Sequence, residues 1–159
     1  MRRDDYQYFK VLNKDQTENV LNQLREQFGV EKIPGILIMK GAERIFLYQG
    51  TLTEKDIRKL EEIIPIERIG VYFAKEQNDE IRLSIEGVHL LRDQIKKGIF
   101  DITEEQMHEW MYGSELLINT GYRQFIILRY NGNLLGCGKA SEQKVSNFIP
   151  KSRRLKFKN

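Results

Sequence analysis

Cysteine and histidine are nearly absent from this sequence, which holds one cysteine, Cys137, and two histidines in 159 residues. One cysteine cannot form an internal disulfide, and so few sulfur and nitrogen ligands do not make a self-contained zinc centre. No uninterrupted apolar run approaches the roughly 18–20 residues that span a bilayer. The charged residues 1–5 lead into no apolar stretch, unlike a secretory signal. We therefore expect a cytoplasmic protein without a metal and without a membrane partner.

No catalytic constellation can be assembled from the residues that are present. His89 and His108 fall within predicted helices, and neither has a serine or cysteine nucleophile beside it in a recognisable motif. Gly136-Cys137-Gly138 is similar to the start of a phosphate loop, but the later glycine and the following helix are missing. No Walker lysine motif or dinucleotide fingerprint occurs. The sequence predicts a protein that is not an enzyme and takes no cofactor.

Positive charge is concentrated at the C-terminal end. Residues 143–159 hold six basic side chains and no acidic one, which leaves 20 basic against 23 acidic side chains in the other 142 residues. A localised basic patch suits a polyanion, because neutralised phosphates release counterions and supply affinity that is independent of sequence. The alternative is a solvated, disordered tail, which charge alone describes equally well.

Hydrophobic periodicity divides the chain into two modules of mixed α and β structure. In the first module, helical spacing predicts helices over 17–28 and from Thr53 to Pro65, and apolar runs predict strands over 35–39, 44–48 and 69–73. The most polar interruption of the chain, residues 76–80, follows these elements. We place the boundary between the modules there.

The second module carries sharper local signals. Alternation over 81–85 predicts a strand, and Val88, Leu91 and Ile95 predict a short helix. Residues 103–106, Thr-Glu-Glu-Gln, have the form of a capping box that opens another helix. Strands over 124–130 and 134–140 flank Asn-Gly, which is the strongest short signal for a tight hairpin turn because both residues tolerate positive φ. A last strand over 145–149 precedes the basic end.

Two glycines interrupt the second strand of this hairpin. Gly136 and Gly138 favour a β-bulge or the close approach of another backbone, as where a strand turns the corner of a small barrel. The functional alternative is that they clear space for a nucleic-acid backbone. Both interpretations stay open at this point.

The same hairpin resembles a known family. Residues 128–139, Leu-Arg-Tyr-Asn-Gly-Asn-Leu-Leu-Gly-Cys-Gly-Lys, are followed by Asn-Phe-Ile-Pro-Lys at 147–151. This order resembles the C-terminal PUA-type RNA-binding domain of Sun-type RNA cytosine-5 methyltransferases, whose pattern is Leu-Gly-x-Gly-Lys and then Asn-x-x-Pro-Lys. Residues 112–116 are similar to the PUA loop after its first helix. The order of elements is also similar to Nip-type ribosome-biogenesis factors, which carry a pre-PUA domain ahead of a PUA domain.

The resemblance implies an α+β fold in which a mixed α/β pre-PUA-like module, residues 1–77, precedes a small PUA-like β-barrel, residues 78–159. It implies a non-catalytic RNA-binding protein that contacts ribosomal or transfer RNA in ribosome biogenesis or RNA modification. Methyl transfer is not implied, because 159 residues leave no room for the methyltransferase domain that binds S-adenosylmethionine. The catalytic cysteine of these methyltransferases lies in a Pro-Cys context, whereas Cys137 follows Gly136. A second hypothesis is an adaptor whose N-terminal module recruits a separate RNA methyltransferase or ribosome-assembly factor.

The RNA-binding hypothesis assigns roles to basic, amide and aromatic side chains. Phosphates would be contacted by Lys139, Lys144, Lys151, Arg153 and Arg154, with Arg123 and Arg129 as candidates on the hairpin. Asn147 would bond a base edge or the backbone of its own turn. Tyr112, beside Gly113, or Tyr122 would stack on an unpaired base. If the chain stays extended after Pro150, Lys151 and Arg153 share one face and act on one phosphate track.

Overall fold

The computed structural model describes residues 9–157, so the charged residues 1–5 and the basic Lys158 lie outside it. The described residues form four α-helices and two β-sheets. The first sheet is antiparallel and follows chain order: β1 (Phe9–Val11), β2 (Ile36–Lys40), β3 (Arg44–Tyr48), β4 (Val71–Gln77) and β5 (Glu80–Leu83). The second sheet contains β6 (Ile99–Asp101), β7 (Phe125–Tyr130), β8 (Asn133–Ala140) and β9 (Val145–Asn147). The α+β class predicted from the sequence is confirmed.

The helices begin where the sequence provides capping residues. They are α1 (Lys14–Phe28), α2 (Glu54–Ile63), α3 (Ile85–Leu91) and α4 (Glu104–Met111). The capping box predicted before α4 is confirmed: the Thr103 hydroxyl accepts from the Gln106 N–H, and the Gln106 side chain accepts from the Thr103 N–H. Asn13 and Thr53 cap α1 and α2 in the same way. No helix of the described residues is long and apolar enough to cross a membrane.

The polar stretch over residues 76–80 is a hairpin turn and not a linker. Asn78 and Asp79 have φ of 49° and 60°, and they join β4 to β5 within the first sheet. The predicted strand ends at Leu83, since Ser84 caps α3 and Ile85 begins it. The chain thus leaves the first sheet after β5 and enters the second at β6. The polar residues on which we based the domain boundary at residue 77 thus form a turn within one sheet. The division into two domains at that residue stays a prediction.

The second sheet has one parallel edge and a bulged centre. β6, which the sequence did not predict, pairs in parallel with β7, whereas β7, β8 and β9 are antiparallel neighbours. Asn131 and Gly132 have φ of 48° and 78°, so the predicted turn is confirmed. A single bridge joins Leu116 to Val145 beside β9. Strand pairing among the described residues does not close this sheet into the small barrel that we expected.

β7 is buried on both of its faces and links the two halves of the molecule. Phe125 and Ile127 point into the main core, which the first sheet forms with α1 and α3. Ile126 and Leu128 point into a second core around Trp110 of α4. Because alternate residues of a strand face opposite sides, one strand serves both cores.

A third cluster lies on the outer face of the first sheet. There Ile57 of α2 packs with Ile38, Phe46 and Ile69. The helix covers one end of that face.

Candidate nucleic-acid interface

The basic segment after β9 does not continue as a strand. Residues Lys151–Arg153 form a turn of 3₁₀ helix directly after Pro150. The Pro150 carbonyl accepts a hydrogen bond from the Arg153 N–H at 2.9 Å. The expectation that Lys151 and Arg153 share one face of an extended chain is therefore wrong. With three residues per turn, side chains two positions apart point in different directions. β9 ends at Asn147, so the predicted strand over 145–149 stops before Pro150, and the proline instead starts the turn, which its fixed φ suits.

The segment is docked on the second core and is not a free tail. The Leu155 N–H donates to the Met111 carbonyl at the end of α4, at 2.9 Å. The rings of Tyr112 and Phe157 stack with their centroids 4.3 Å apart and only 5° between their planes. One ring face of Tyr112 is thus occupied by the chain's own phenylalanine.

Arg153 and Arg154 have different surroundings. Arg153 pairs with Glu86 at the start of α3, and its side chain stays 45% exposed. Arg154 lies across Gly113, where a Cβ atom would collide with its side chain, and its Nε donates to the Ile149 carbonyl at 2.9 Å. From the sequence we assigned Arg154 to a phosphate, and in the structure its Nε bonds a backbone carbonyl while Gly113 provides the space for the side chain.

Three other candidate cations of the second half are held by carboxylates. Arg129 makes a two-pronged contact with Asp101 through bonds of 2.7 and 2.8 Å. Lys144 pairs with Glu115 at 2.6 Å. Lys139 pairs with Glu80. The Arg129 guanidinium holds the pKa of Asp101 below its usual value, and Asp101 in turn raises the pKa of Arg129.

The candidate residues do not all gather on one surface. Arg123 precedes β7 and its guanidinium donates to the carbonyl of Tyr122, whereas Arg129 lies near the far end of the same strand. A strand of six residues separates its ends by roughly 17–20 Å. Arg123 and Arg129 are therefore not neighbours. Tyr122, the other stacking candidate, packs against the second core.

Asn147 is fully used within its own fold. Its Nδ2 donates to the carbonyls of Trp110 and Ser114 at 2.8 and 2.9 Å. Its Oδ1 accepts from the Ile149 N–H at 2.8 Å. Only the bond from Ile149 lies within Asn147's own turn, as in the structural alternative, whereas the bonds to Trp110 and Ser114 join β9 to the end of α4 and the residues after it.

The two glycines of β8 have different environments. A Cβ atom on Gly138 would lie 2.6 Å from Val145 Cγ1 and 2.7 Å from Trp110 Cη2, so this glycine permits close packing. Gly136 has φ of 137°, and a Cβ atom there would meet nothing nearer than Ile85 Cγ1 at 3.9 Å. Gly136 therefore borders open space, and the ladder beside it is bulged between Leu128 and Arg129.

That open space is a depression that the sequence did not predict. It is lined by residues of β4, β5, the start of α3, β8 and the basic turn, among them Arg82, Gly136, Phe148 and Arg153. The Arg82 guanidinium lies 4.3 Å from the centroid of the Phe148 ring. The sequence could have identified Arg82, because it alternates with the apolar Ile81 and Leu83 and therefore points outward when they point inward. The sequence does not indicate a role for Phe148, because Arg82 and Phe148 come into contact only when the two sheets pack together.

The part of the chain that holds this interface matches a known domain. Residues 97–155 match the family model described as the Methyltransferase RsmF PUA domain. The resemblance to the PUA domain of Sun-type RNA methyltransferases is thereby confirmed. The likeness of the earlier residues to a pre-PUA domain stays a prediction.

Several curated relatives extend the likeness over more of the chain. It is 26% identical over 147 residues to the Ribosomal RNA small subunit methyltransferase F of Aeromonas salmonicida, covering 90% of this chain and 29% of the relative. It is 22% identical over 131 residues to the protein of that name from Psychromonas ingrahamii, covering 79% of this chain and 26% of the relative. The chain thus spans less than a third of the length of these relatives.

Proposed function

We propose that this chain binds ribosomal RNA through its C-terminal half and catalyses no reaction itself. The match of residues 97–155 to a PUA domain carries the proposal. The relatives are named as methyltransferases of small-subunit ribosomal RNA, so we take that RNA, ahead of transfer RNA, as the ligand. The role that follows is to hold RNA during its modification.

The only cysteine does not offer a nucleophile. Cys137 lies buried on β8, and burial raises the pKa of its thiol to about 12. A catalytic cysteine acts as a thiolate, and a thiol with so high a pKa is not ionised at neutral pH. We therefore assign Cys137 to packing in the main core.

The accessible cations of the basic turn are the best phosphate ligands. Lys151 is exposed at the start of the turn, and Arg153 is half-exposed beside the depression at Gly136. The salt bridge between Arg153 and Glu86 lies at the surface, where such pairs contribute little and exchange readily for a phosphate. Lys144 has a similar exposed partner in Glu115. Arg154 and Asn147 serve the fold instead.

The test compares two double variants by salt titration of binding to a small-subunit ribosomal RNA fragment. Replacing Lys151 and Arg153 by glutamine should weaken binding and lower the log–log salt slope by about 1–2, since each phosphate contact contributes about 0.7–0.9. The control, Arg25→Gln with Arg92→Gln, removes the same charge from α1 and from the residue after α3. It should leave the slope close to that of the unaltered chain.

Two outcomes would contradict the proposal at different points. If the unaltered chain does not bind ribosomal RNA at low salt, RNA binding itself is wrong. If it binds and the Lys151 and Arg153 variant keeps the full slope, the basic turn is not the contact. Binding of a protein partner that is insensitive to salt would favour the adaptor hypothesis.

A further inference from the structure

Four cations stand in one line across the first sheet, outside the segment that matches the PUA domain. The register pairs Lys40 with Arg44, Arg44 with Lys75, and Lys75 with Arg82, on four neighbouring strands. Residues directly opposite in antiparallel strands point to the same face, so these four side chains form a row about 14 Å long. We refer to Lys40, Arg44, Lys75 and Arg82 as the cation row.

The cation row lies on the outer face of the sheet. Ile81 and Leu83, the neighbours of Arg82 along β5, point into the main core, which places Arg82 on the opposite side. Arg44 lies two residues from Phe46, which packs under α2 on the outer face. The helix covers that end of the face, whereas within residues 9–157 Arg44 is exposed and Lys40, Lys75 and Arg82 are partly exposed.

Within residues 9–157, carboxylates compensate little of this charge. Lys75 pairs with Glu43 at 3.1 Å, and Lys40 donates to the backbone carbonyl of Glu67. Among these residues no carboxylate lies within salt-bridge distance of Lys40, Arg44 or Arg82. Like charges directly opposite on a sheet are destabilising, so such a row favours a bound anion with several charges.

Aromatic rings accompany the row. Phe46 and Tyr72 form the next register pair along the outer face, with their ring centroids 5.7 Å apart. Together with Arg68 and members of the row, they line a depression in this face. Phe46 is buried beneath α2, so Tyr72 is the ring of this pair that a base can reach. Cations beside an accessible aromatic ring are the arrangement by which proteins bind unpaired nucleotides, with phosphates on the cations and a base on the ring.

The cation row is continuous with the C-terminal interface. Tyr72 and Arg82 line both the depression beside the row and the depression that contains Gly136 and Arg153. Arg82 also stacks on Phe148, which lies three residues before the basic turn and lines the same depression as Arg153. One strand of RNA can therefore run from the outer face of the first sheet to Arg153.

We propose that the cation row is a second RNA-binding surface, which takes single-stranded RNA leaving the C-terminal interface. Arg44 and Arg82 contact phosphates, and Tyr72 stacks on a base. The inference rests on the proposed RNA-binding function and adds the N-terminal half to it. It assigns the ligand as unpaired RNA rather than a duplex, because the Tyr72 ring can stack only on an exposed base.

The experiment measures binding of a fluorescent single-stranded RNA and of a duplex of equal length over a range of salt. Arg44→Gln with Arg82→Gln should weaken single-strand binding roughly tenfold at low salt and lower the salt slope by about 1.4, at about 0.7 per phosphate on a single strand. The control is again Arg25→Gln with Arg92→Gln, which lie on α1 and directly after α3, the two helices that pack on the other face of the sheet. It should change neither value appreciably.

A cross-linking measurement separates contact from long-range attraction. Thiouridine-substituted single-stranded RNA, irradiated on the unaltered chain, should label the peptide that contains Tyr72, and the Arg44 and Arg82 variant should lose that label. Circular dichroism checks that the variant is folded.

The outcomes distinguish the two proposals. If the Lys151 and Arg153 variant loses affinity and slope while the Arg44 and Arg82 variant keeps both, the cation row is not an RNA surface and the C-terminal interface stands. Stronger binding of the duplex than of the single strand would overturn the assignment of unpaired RNA. Failure of the unaltered chain to bind any RNA would overturn both.

Discussion

Some basic side chains of this protein are paired with carboxylates and are therefore less available to bind a phosphate. Arg129 and Lys139 belong to the motif that resembles a PUA domain, yet each is held by a carboxylate, Asp101 or Glu80. A guanidinium with two bonds to one carboxylate must give up both before it can hold a phosphate in the same geometry. Lys151 has no such partner within the described residues, and it is the more available phosphate ligand.

The pKa of Asp101 gives a direct measure of its pairing. Arg129→Gln should raise the pKa of Asp101 to near its ordinary value of 3.8, because the hydrogen bonds from Arg129 are the main cause of the lowering. An NMR titration of the side-chain carboxyl carbons measures this. The pKa of Asp56, lowered chiefly by hydrogen bonds from Thr53, should stay low in the same variant.

The sign of the accompanying stability change follows from the lowered pKa. A carboxyl whose pKa is lower in the folded state stabilises the fold above its unfolded value, and this contribution is lost as the pH falls through the folded value. The difference in stability between the unaltered chain and Arg129→Gln should therefore shrink at acidic pH. An Asp101 pKa that does not move would show that Arg129 and Asp101 are apart in solution.

At the scale of elements, β8 combines a bulge and a close contact within three residues. The ladder to β7 passes from Leu128 opposite Gly136 to Arg129 opposite Leu134, which leaves one extra residue on β8. Gly138 then lies against Trp110, the single tryptophan of the chain. The strand is thus shaped by the packing of α4 on one side and by the depression at Gly136.

Gly138→Ala should destabilise the protein by about 1–3 kcal/mol, because its methyl group overlaps with Val145 and Trp110 in a packed core. Urea unfolding followed by Trp110 fluorescence measures the free energy of unfolding. Leu117→Ala, at a side chain that is 82% exposed, is the control and should change it by no more than about 0.5 kcal/mol. Equal stability of the two variants would contradict the close contact.

At the scale of the whole molecule, the main core joins the N-terminal and C-terminal halves. Leu24 and Phe28 of α1 pack in the same buried cluster as Phe125 and Ile127 of β7. Gln27 adds a polar link within the first half, since its side chain exchanges two hydrogen bonds with the backbone of Ile81 on the edge strand β5. Such a core favours unfolding of both halves together.

Leu24→Ala tests this coupling. Loss of the side chain should destabilise the protein by about 2–5 kcal/mol, because Leu24 is fully buried. Trp110 lies in the other core, yet its fluorescence transition should shift together with the circular dichroism of the whole chain. Ile63→Ala, at a side chain that is 76% exposed on α2, should shift neither. A Trp110 transition that stays in place would instead support two independently folding domains.

The sequence alone determined the features that depend on neighbouring residues. The spacing of apolar residues predicted α1, and the Thr103 capping box predicted the start of α4. The Asn-Gly pair predicted the turn between β7 and β8 because only local φ preferences are involved. The polar residues 76–80 form a turn, and a turn and a linker have the same composition, so their polarity does not decide the domain boundary.

Only the tertiary structure decided which charges remain available. Lys139 meets a carboxylate 59 positions away, and Arg129 meets one 28 positions away. The cation row arises only when four strands pair in one register, so no local sequence pattern predicts it. Helices, turns and caps follow from dihedral preferences over a few residues, whereas a binding surface depends on which distant side chains the packing of two sheets brings together.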